Sequence, residues 1–94
     1  MAFFTISHWE TEDWTEEMEA LAREKYVPLV RAVGAQRVSM VRVADRSFMV
    51  VTEYDTEAAA ETAQARIAEI RSQAAEELPM KMTAAMGGNV FASG

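Results

Sequence analysis

The chain has no cysteine, one histidine, two prolines and four glycines. Without cysteine there is no disulfide frame, no thiolate metal site and no cysteine nucleophile. A single histidine among scattered carboxylates gives no metal cluster, since a bound zinc needs several convergent donors. No apolar run approaches the ~18–20 residues of a membrane helix. Positive charge is also scarce: nine Lys and Arg face fifteen Asp and Glu, for a net charge of −6. That balance argues against nucleic acid and anionic membranes as partners. The opening MAFFTISH has no basic residue before its apolar ones, so it does not read as a signal peptide. Gly87-Gly88 is followed by neither Lys-Ser/Thr nor a helix pattern, so it is no phosphate loop. The expectation is a cytoplasmic protein that needs no cofactor.

What is present is half hydrophobic: 94 residues, 50% of them apolar. A chain of this size forms one domain, expected over residues 1–94, and buries about 65% of its unfolded surface.

The spacing predicts six elements. The first is a strand over Phe3 to Glu10, with Phe4, Ile6 and His8 on one face and Phe3, Thr5, Ser7 and Trp9 on the other. A helix follows. Asp13, with Glu16 three residues on, reads as a capping box, and Thr15 is the rival cap. Trp14, Met18, Leu21, Leu29 and Val33, flanked by Ala22, Tyr26 and Val30, make a broad apolar stripe. Pro28 interrupts it, predicting a kink or a second short helix over Leu29 to Val33, with Gly34 just past its end. Two strands, Gln36 to Val43 and Ser47 to Tyr54, then form a hairpin around Ala44-Asp45-Arg46. The preferred register sets Val43 against Ser47, Arg42 against Phe48, Met40 against Val50 and Arg37 against Glu53. A long helix over Thr56 to Leu78, capped by Asp55 or Thr56, carries the stripe Ala59, Ala63, Ile67, Ile70, Ala74 and Leu78, and Pro79 ends it. Glu76 and Glu77 sit at the end of that helix where its dipole disfavours them. A last strand runs from Met80 to Met86. Gly87-Gly88-Asn89 is expected to break it, and Val90-Phe91-Ala92 to extend it or add a short strand on its own or a partner's sheet.

The order βαββαβ is that of the ferredoxin-like α+β fold, with an antiparallel sheet in the order 4-1-3-2 and both helices on one face. The far face then poses a problem. An open face should turn polar on alternate residues, yet these strands are apolar on both sides. No chain remains to cover it, so a second copy packed sheet to sheet is the expected partner.

Four segments, FFTISHWETEDW, YVPLVRAVGAQRV, RSFMVVTEYDT and LPMKMTAAMG, together resemble the dimeric α/β-barrel superfamily. Within it, the small domains of the antibiotic biosynthesis monooxygenase type are the nearest match. The resemblance spans nearly the whole chain and rests on pattern. It implies a homodimer and a range of activities: cofactor-free oxygenation of polycyclic phenols, haem degradation, isomerisation or decarboxylation. The haem-degrading members use a histidine on a helix, and neither predicted helix here holds one, so that activity is not expected.

His8 can be a general acid/base, or a rim histidine bonded to backbone, which is the reading favoured. The sheet order brings it to one end with Arg42, Phe48 and Met82. Arg42 can hold an anionic or phenolate substrate, or serve as a rim charge beside Asp45. Glu53 and Tyr54 fall at the opposite end. Trp9, Trp14 and Tyr26 suit either core packing or a pocket for a flat apolar ligand. Three functions stay open: a cofactor-independent monooxygenase-like enzyme, a non-catalytic binder of a small apolar ligand, and a structural homodimer.

Overall fold

The computed structural model describes residues 2–94. The elements are β1 (Phe3–Thr11), α1 (Glu16–Leu21), a π-helical turn (Ala22–Tyr26), α2 (Val27–Ala32), β2 (Arg37–Ala44), β3 (Ser47–Tyr54), α3 (Glu57–Glu77) and β4 (Met80–Asn89). One antiparallel sheet runs in the order β2-β3-β1-β4. This is the ferredoxin-like arrangement expected, and no described helix is long and apolar enough to cross a membrane.

Local chemistry sets the boundaries. Thr15, not Asp13, caps α1: its extended backbone lets its hydroxyl accept from the Met18 amide at 3.1 Å. Asp13 instead takes the Trp14 amide at 2.8 Å. Pro28 falls in the first turn of α2, directly after the π-helical turn. The wide turn before it absorbs the misfit that would otherwise kink one continuous helix. Gly34 closes α2 at φ 110, a left-handed conformation that only glycine adopts freely. Thr56 caps α3 through the Ala59 amide at 3.1 Å.

The hairpin keeps the expected register from Arg37↔Glu53 to Arg42↔Phe48. A bulge after Arg42 then makes Ala44, not Val43, the partner of Ser47, and leaves Asp45-Arg46 as the turn. Arg37 and Glu53 face each other without forming an ion pair. β4 also departs from expectation. It runs unbroken through both glycines to Asn89, pairing Gly87 with Thr5, Gly88 with Phe4 and Asn89 with Phe3. Gly87 serves packing here. A Cβ on it would lie 2.8 Å from Cζ of Phe3, so the bare backbone makes room for the ring. Val90 adds one further bond, its amide to the Ala2 carbonyl at 2.9 Å, and the tail beyond has no regular structure.

The helices cover one face of the sheet. Tyr26, Val30, Ala35, Tyr54, Ala60, Ala63, Ile70 and Ala74 form the core between the layers. Alanines at 60, 63 and 74 let α3 lie close to the strands. Across the far face run two cross-strand rows: Val41, Met49, His8 and Ala84, then Ser39, Val51, Ile6 and Met86. No segment among the described residues covers them. Val41 is 47% exposed and Met86 59%.

Candidate functional site

The covered face of the sheet is also read row by row. The first row is Arg42, Phe48, Trp9 and Met82; the next is Met40, Val50, Ser7 and Ala85; the third is Val38, Thr52, Thr5 and Gly87. The expected grouping at this end of the sheet therefore forms, with one correction. Trp9 takes the place foreseen for His8. Side chains alternate faces along a strand, so a residue one position away projects to the other side. His8 sits opposite Met49 and Ala84 on the uncovered face. There its Nδ1 pairs with the Thr83 hydroxyl at 2.5 Å, and that hydroxyl also donates to the His8 carbonyl at 3.2 Å. His8 thus shares no cavity with Arg42, Phe48 or Trp9. Met82 ends the row on an edge strand, 39% exposed, and Met80 lines the cavity instead.

Two adjoining spaces lie between sheet and helices. The inner one holds about 80 Å³. Thr5, Ser7, Trp9, Thr52 and Tyr54 make its floor, Tyr26 and Val30 one wall, and Ile67, Ile70 and Arg71 of α3 the roof. The outer one holds about 380 Å³ and opens past Trp14, Met18, Glu19, Arg23 and Arg42. The two share Ala22, Met40, Phe48 and Met80 as common wall.

Aromatic rings line both spaces. Trp9 and Phe48 lie parallel, centroids 6.1 Å apart and planes 9° from coplanar. The Trp9 indole N–H donates to the buried Ser7 hydroxyl at 2.9 Å, which fixes the ring. Trp14 meets Phe48 edge-on at 5.8 Å. Its own N–H donates to Glu19 at 2.6 Å, and the Arg42 guanidinium stacks 4.3 Å above its ring. Arg42 also donates to the Asp45 carbonyl at 2.7 Å. Arg42 is thus held as a rim charge, by the ring and the turn together.

Tyr26 reaches the cavity from the π-helical turn, which rotates it inward. Its hydroxyl donates to Glu77, which also receives Lys25 Nζ at 2.8 Å. This answers the question posed by Glu77. A carboxylate disfavoured by the dipole of α3 is held by a lysine and a phenol from the other helical segment. The Lys25 and Tyr26 hydrogen bonds keep the Glu77 carboxyl below the usual range. Burial first, and the same acid second, push the Tyr26 phenol well above its ordinary value.

Arg71 was not singled out from the sequence, and Tyr54 was expected at the opposite end of the sheet; both line the inner cavity. Burial raises the Tyr54 phenol, with the Arg71 charge acting against that rise. Burial likewise lowers Arg71. Among the described residues, Arg71 forms no ion pair. A signal for it did exist: it lies four residues after Ile67 and three before Ala74, a charge inside the apolar stripe of α3. For Tyr54, the alternation of β3 places it on the covered face with Phe48, Val50 and Thr52, where it is only 2% exposed. Tyr26, Tyr54 and Arg71 are the ionisable groups lining the inner cavity. Two stay protonated and one stays charged at neutral pH. The cavity can exclude water, donate hydrogen bonds and offer one positive charge, and it contains no group poised to take a proton near pH 7. Among the described residues no cluster of three or more His, Cys, Asp or Glu could hold a metal.

No protein-family model matches the chain. Nor does any curated protein match it by sequence. Solved structures do share its fold. A protein of unknown function from Nitrosomonas europaea superposes with a TM-score of 0.71 at 18% identity, over 99% of this chain and 92% of the other. A variant of SnoaB, a cofactor-independent oxygenase from Streptomyces nogalater, gives 0.73 at 14% identity, over 98% and 95%. A dimeric ferredoxin-like protein from an uncultured marine organism gives 0.66 at 16% identity, over 99% and 97%. At these identities the likeness is one of fold.

Proposed function

We propose that this protein is a homodimer, paired through the uncovered sheet face, in which each subunit holds a small apolar molecule between sheet and helices and oxygenates it without a cofactor. The observation that carries the reading is the adjoining pair of spaces, apolar in its walls and furnished with a few convergent polar groups, Ser7, Thr52, Tyr54 and Arg71. The uncovered rows Val41-Met49-His8-Ala84 and Ser39-Val51-Ile6-Met86 support the pairing. The fold shared with a cofactor-independent oxygenase and with a dimeric ferredoxin-like protein adds weight to both halves.

In this reading Trp9, Trp14 and Phe48 frame the ligand, Arg42 fixes Trp14, and Tyr26 closes the inner wall. The electron-rich substrate itself reacts with oxygen, and the protein binds it and keeps it dry. Since the inner cavity lacks a base, the substrate arrives ionised or is ionised by proximity to Arg71. His8 then belongs to the subunit interface and takes no part in the chemistry.

The missing base also favours a second reading, a binder that performs no reaction. Native mass spectrometry of the protein purified from its own host tests both. A retained small molecule, with oxygen uptake when more is added, supports the oxygenase. A retained molecule without uptake supports the binder. An empty protein that takes up no apolar probe overturns both.

A further inference from the structure

We propose that the molecule held in this cavity carries an anionic oxygen head, a carboxylate or an ionised phenol or enol, and that Arg71 is the group that receives it. The inference rests on the reading of the cavity as a ligand site and specifies what that site selects.

A guanidinium stays charged at any ordinary pH and carries five N–H donors. Taking it from water into an apolar wall is unfavourable unless an anion meets it. The chain has fifteen acids and a net charge of −6, yet none of the described ones pairs with Arg71. The acids of α3 that form ion pairs are engaged elsewhere: Glu69 with Arg66 at 3.2 Å, and Glu77 with Lys25 at 2.8 Å. The polar groups lining the cavity with Arg71 are hydroxyls, those of Thr5, Ser7, Thr52, Tyr54 and Tyr26. The hydroxyls of Thr5, Ser7, Thr52 and Tyr54 can complete hydrogen bonds to an oxyanion, whereas Tyr26 already donates its proton to Glu77; none of them can neutralise the arginine. A half-buried cation without an anion, lining an apolar cavity among neutral donors, is a receptor for one.

The dimensions set the shape of the ligand. The inner space of about 80 Å³ accepts a head group, and the outer space of about 380 Å³ accepts the body. The walls between them are Phe48, Met40 and Ala22, apolar surfaces that exclude a fully hydrated inorganic anion. The ligand class is therefore an amphiphile with one anionic end lying inward.

The test compares acids with their methyl esters, which share a body and differ in charge. Octanoate and 1-naphthoate, each beside its ester, are titrated at pH 7 and followed by tryptophan fluorescence and calorimetry. At least one acid is expected to bind about tenfold or more tightly than its ester, as charge-assisted bidentate pairing requires. In Arg71→Met the ester keeps its affinity and the acid loses its advantage; in Arg71→Lys part of the advantage remains. A second arm titrates 2-naphthol from pH 7 to 9.5. Binding that strengthens as the naphthol ionises assigns phenolates to the site as well; no such gain restricts it to carboxylates. Esters that bind wild type as well as acids overturn the role of Arg71 and leave the cavity reading standing. So does an acid preference that survives in Arg71→Met. If no acid or ester binds, the cavity is not a ligand site and both readings fall.

Discussion

Two adjacent glycines in one strand are expected to respond oppositely to the same substitution. Gly87 and Gly88 both lie in β4, paired with Thr5 and Phe4 of β1. A methyl group on Gly87 would stand 2.8 Å from Cζ and 3.0 Å from Cε2 of Phe3. Carbon atoms rest at about 3.5–4.0 Å, so the ring must retreat by roughly 0.7 Å or more. Phe3 is packed against the core and cannot swing freely. Overpacking of this kind costs about 1–3 kcal/mol. Replacing glycine also restricts the unfolded chain, which returns about 0.4–1 kcal/mol. The net expectation for Gly87→Ala is a loss of about 1.3 kcal/mol, taking the middle of each range. Gly88 has nothing within 4 Å, so Gly88→Ala meets only the second effect and should be neutral or slightly stabilising. Urea unfolding followed by circular dichroism measures both. A smaller ring neighbour sharpens the test: Phe3→Leu should weaken wild type by about 1 kcal/mol but cost less in the Gly87→Ala background, giving a coupling of about 0.5 kcal/mol or more. Equal stability of Gly87→Ala and wild type, or strict additivity with Phe3→Leu, would refute the packing account of Gly87.

Other consequences can be checked with simple variants. Glu77 is held below the usual carboxylate range by Lys25 and Tyr26, so its contribution is present above pH 4.5 and is lost as pH falls from there through its depressed native value. Glu77→Gln should flatten that part of the stability–pH curve, and an unchanged curve would remove Glu77 from the account. Both tyrosines of the chain have raised phenols, Tyr26 most of all, so their favourable protonated state is fully present below pH 10 and is lost as pH rises through the native values. Ultraviolet titration should show little phenolate at pH 10 in the folded protein and about one phenolate equivalent, half of each tyrosine, on adding denaturant. On the uncovered face, Met86→Glu and Val41→Glu should each turn a dimer into a folded monomer by light scattering, while wild type stays dimeric at micromolar concentration. A monomeric wild type would sink the sheet-to-sheet pairing.

The features that the sequence displayed were those with local causes. Alternation marked β1, β2 and β3, and opposite charges at Arg37 and Glu53 selected the right hairpin register even though they form no ion pair. Caps at Thr15 and Thr56, and the stop at Pro79, are written in single residues. What stayed hidden depended on distant partners. Gly87 reads as a breaker until Phe3 is known to need its space. Glu77 reads as misplaced until Lys25 and Tyr26 arrive from another element, 52 and 51 residues away in sequence. Val43 reads as a pairing residue because a bulge has no reliable sequence mark.

The site shows the same division, and here it decides function. Trp9, Trp14, Tyr26 and Phe48, the aromatic residues singled out from the sequence, line the two spaces between sheet and helices. Met82 lies outside them on an edge strand, and His8, the residue with the most familiar chemistry, is separated from the cavity by a single step of the pleat. Phe4, Ile6 and His8 serve the uncovered face while Thr5, Ser7 and Trp9 serve the cavity, so β1 assigns alternate residues to two tasks. The single imidazole of the chain went to the first task, and none to the second. The inner cavity was left with two phenols that hold their protons and one arginine that holds its charge. A site so furnished cannot drive proton transfer by its own residues. It can choose a ligand by charge and shape and keep water away, and any reaction there must draw its reactivity from the ligand.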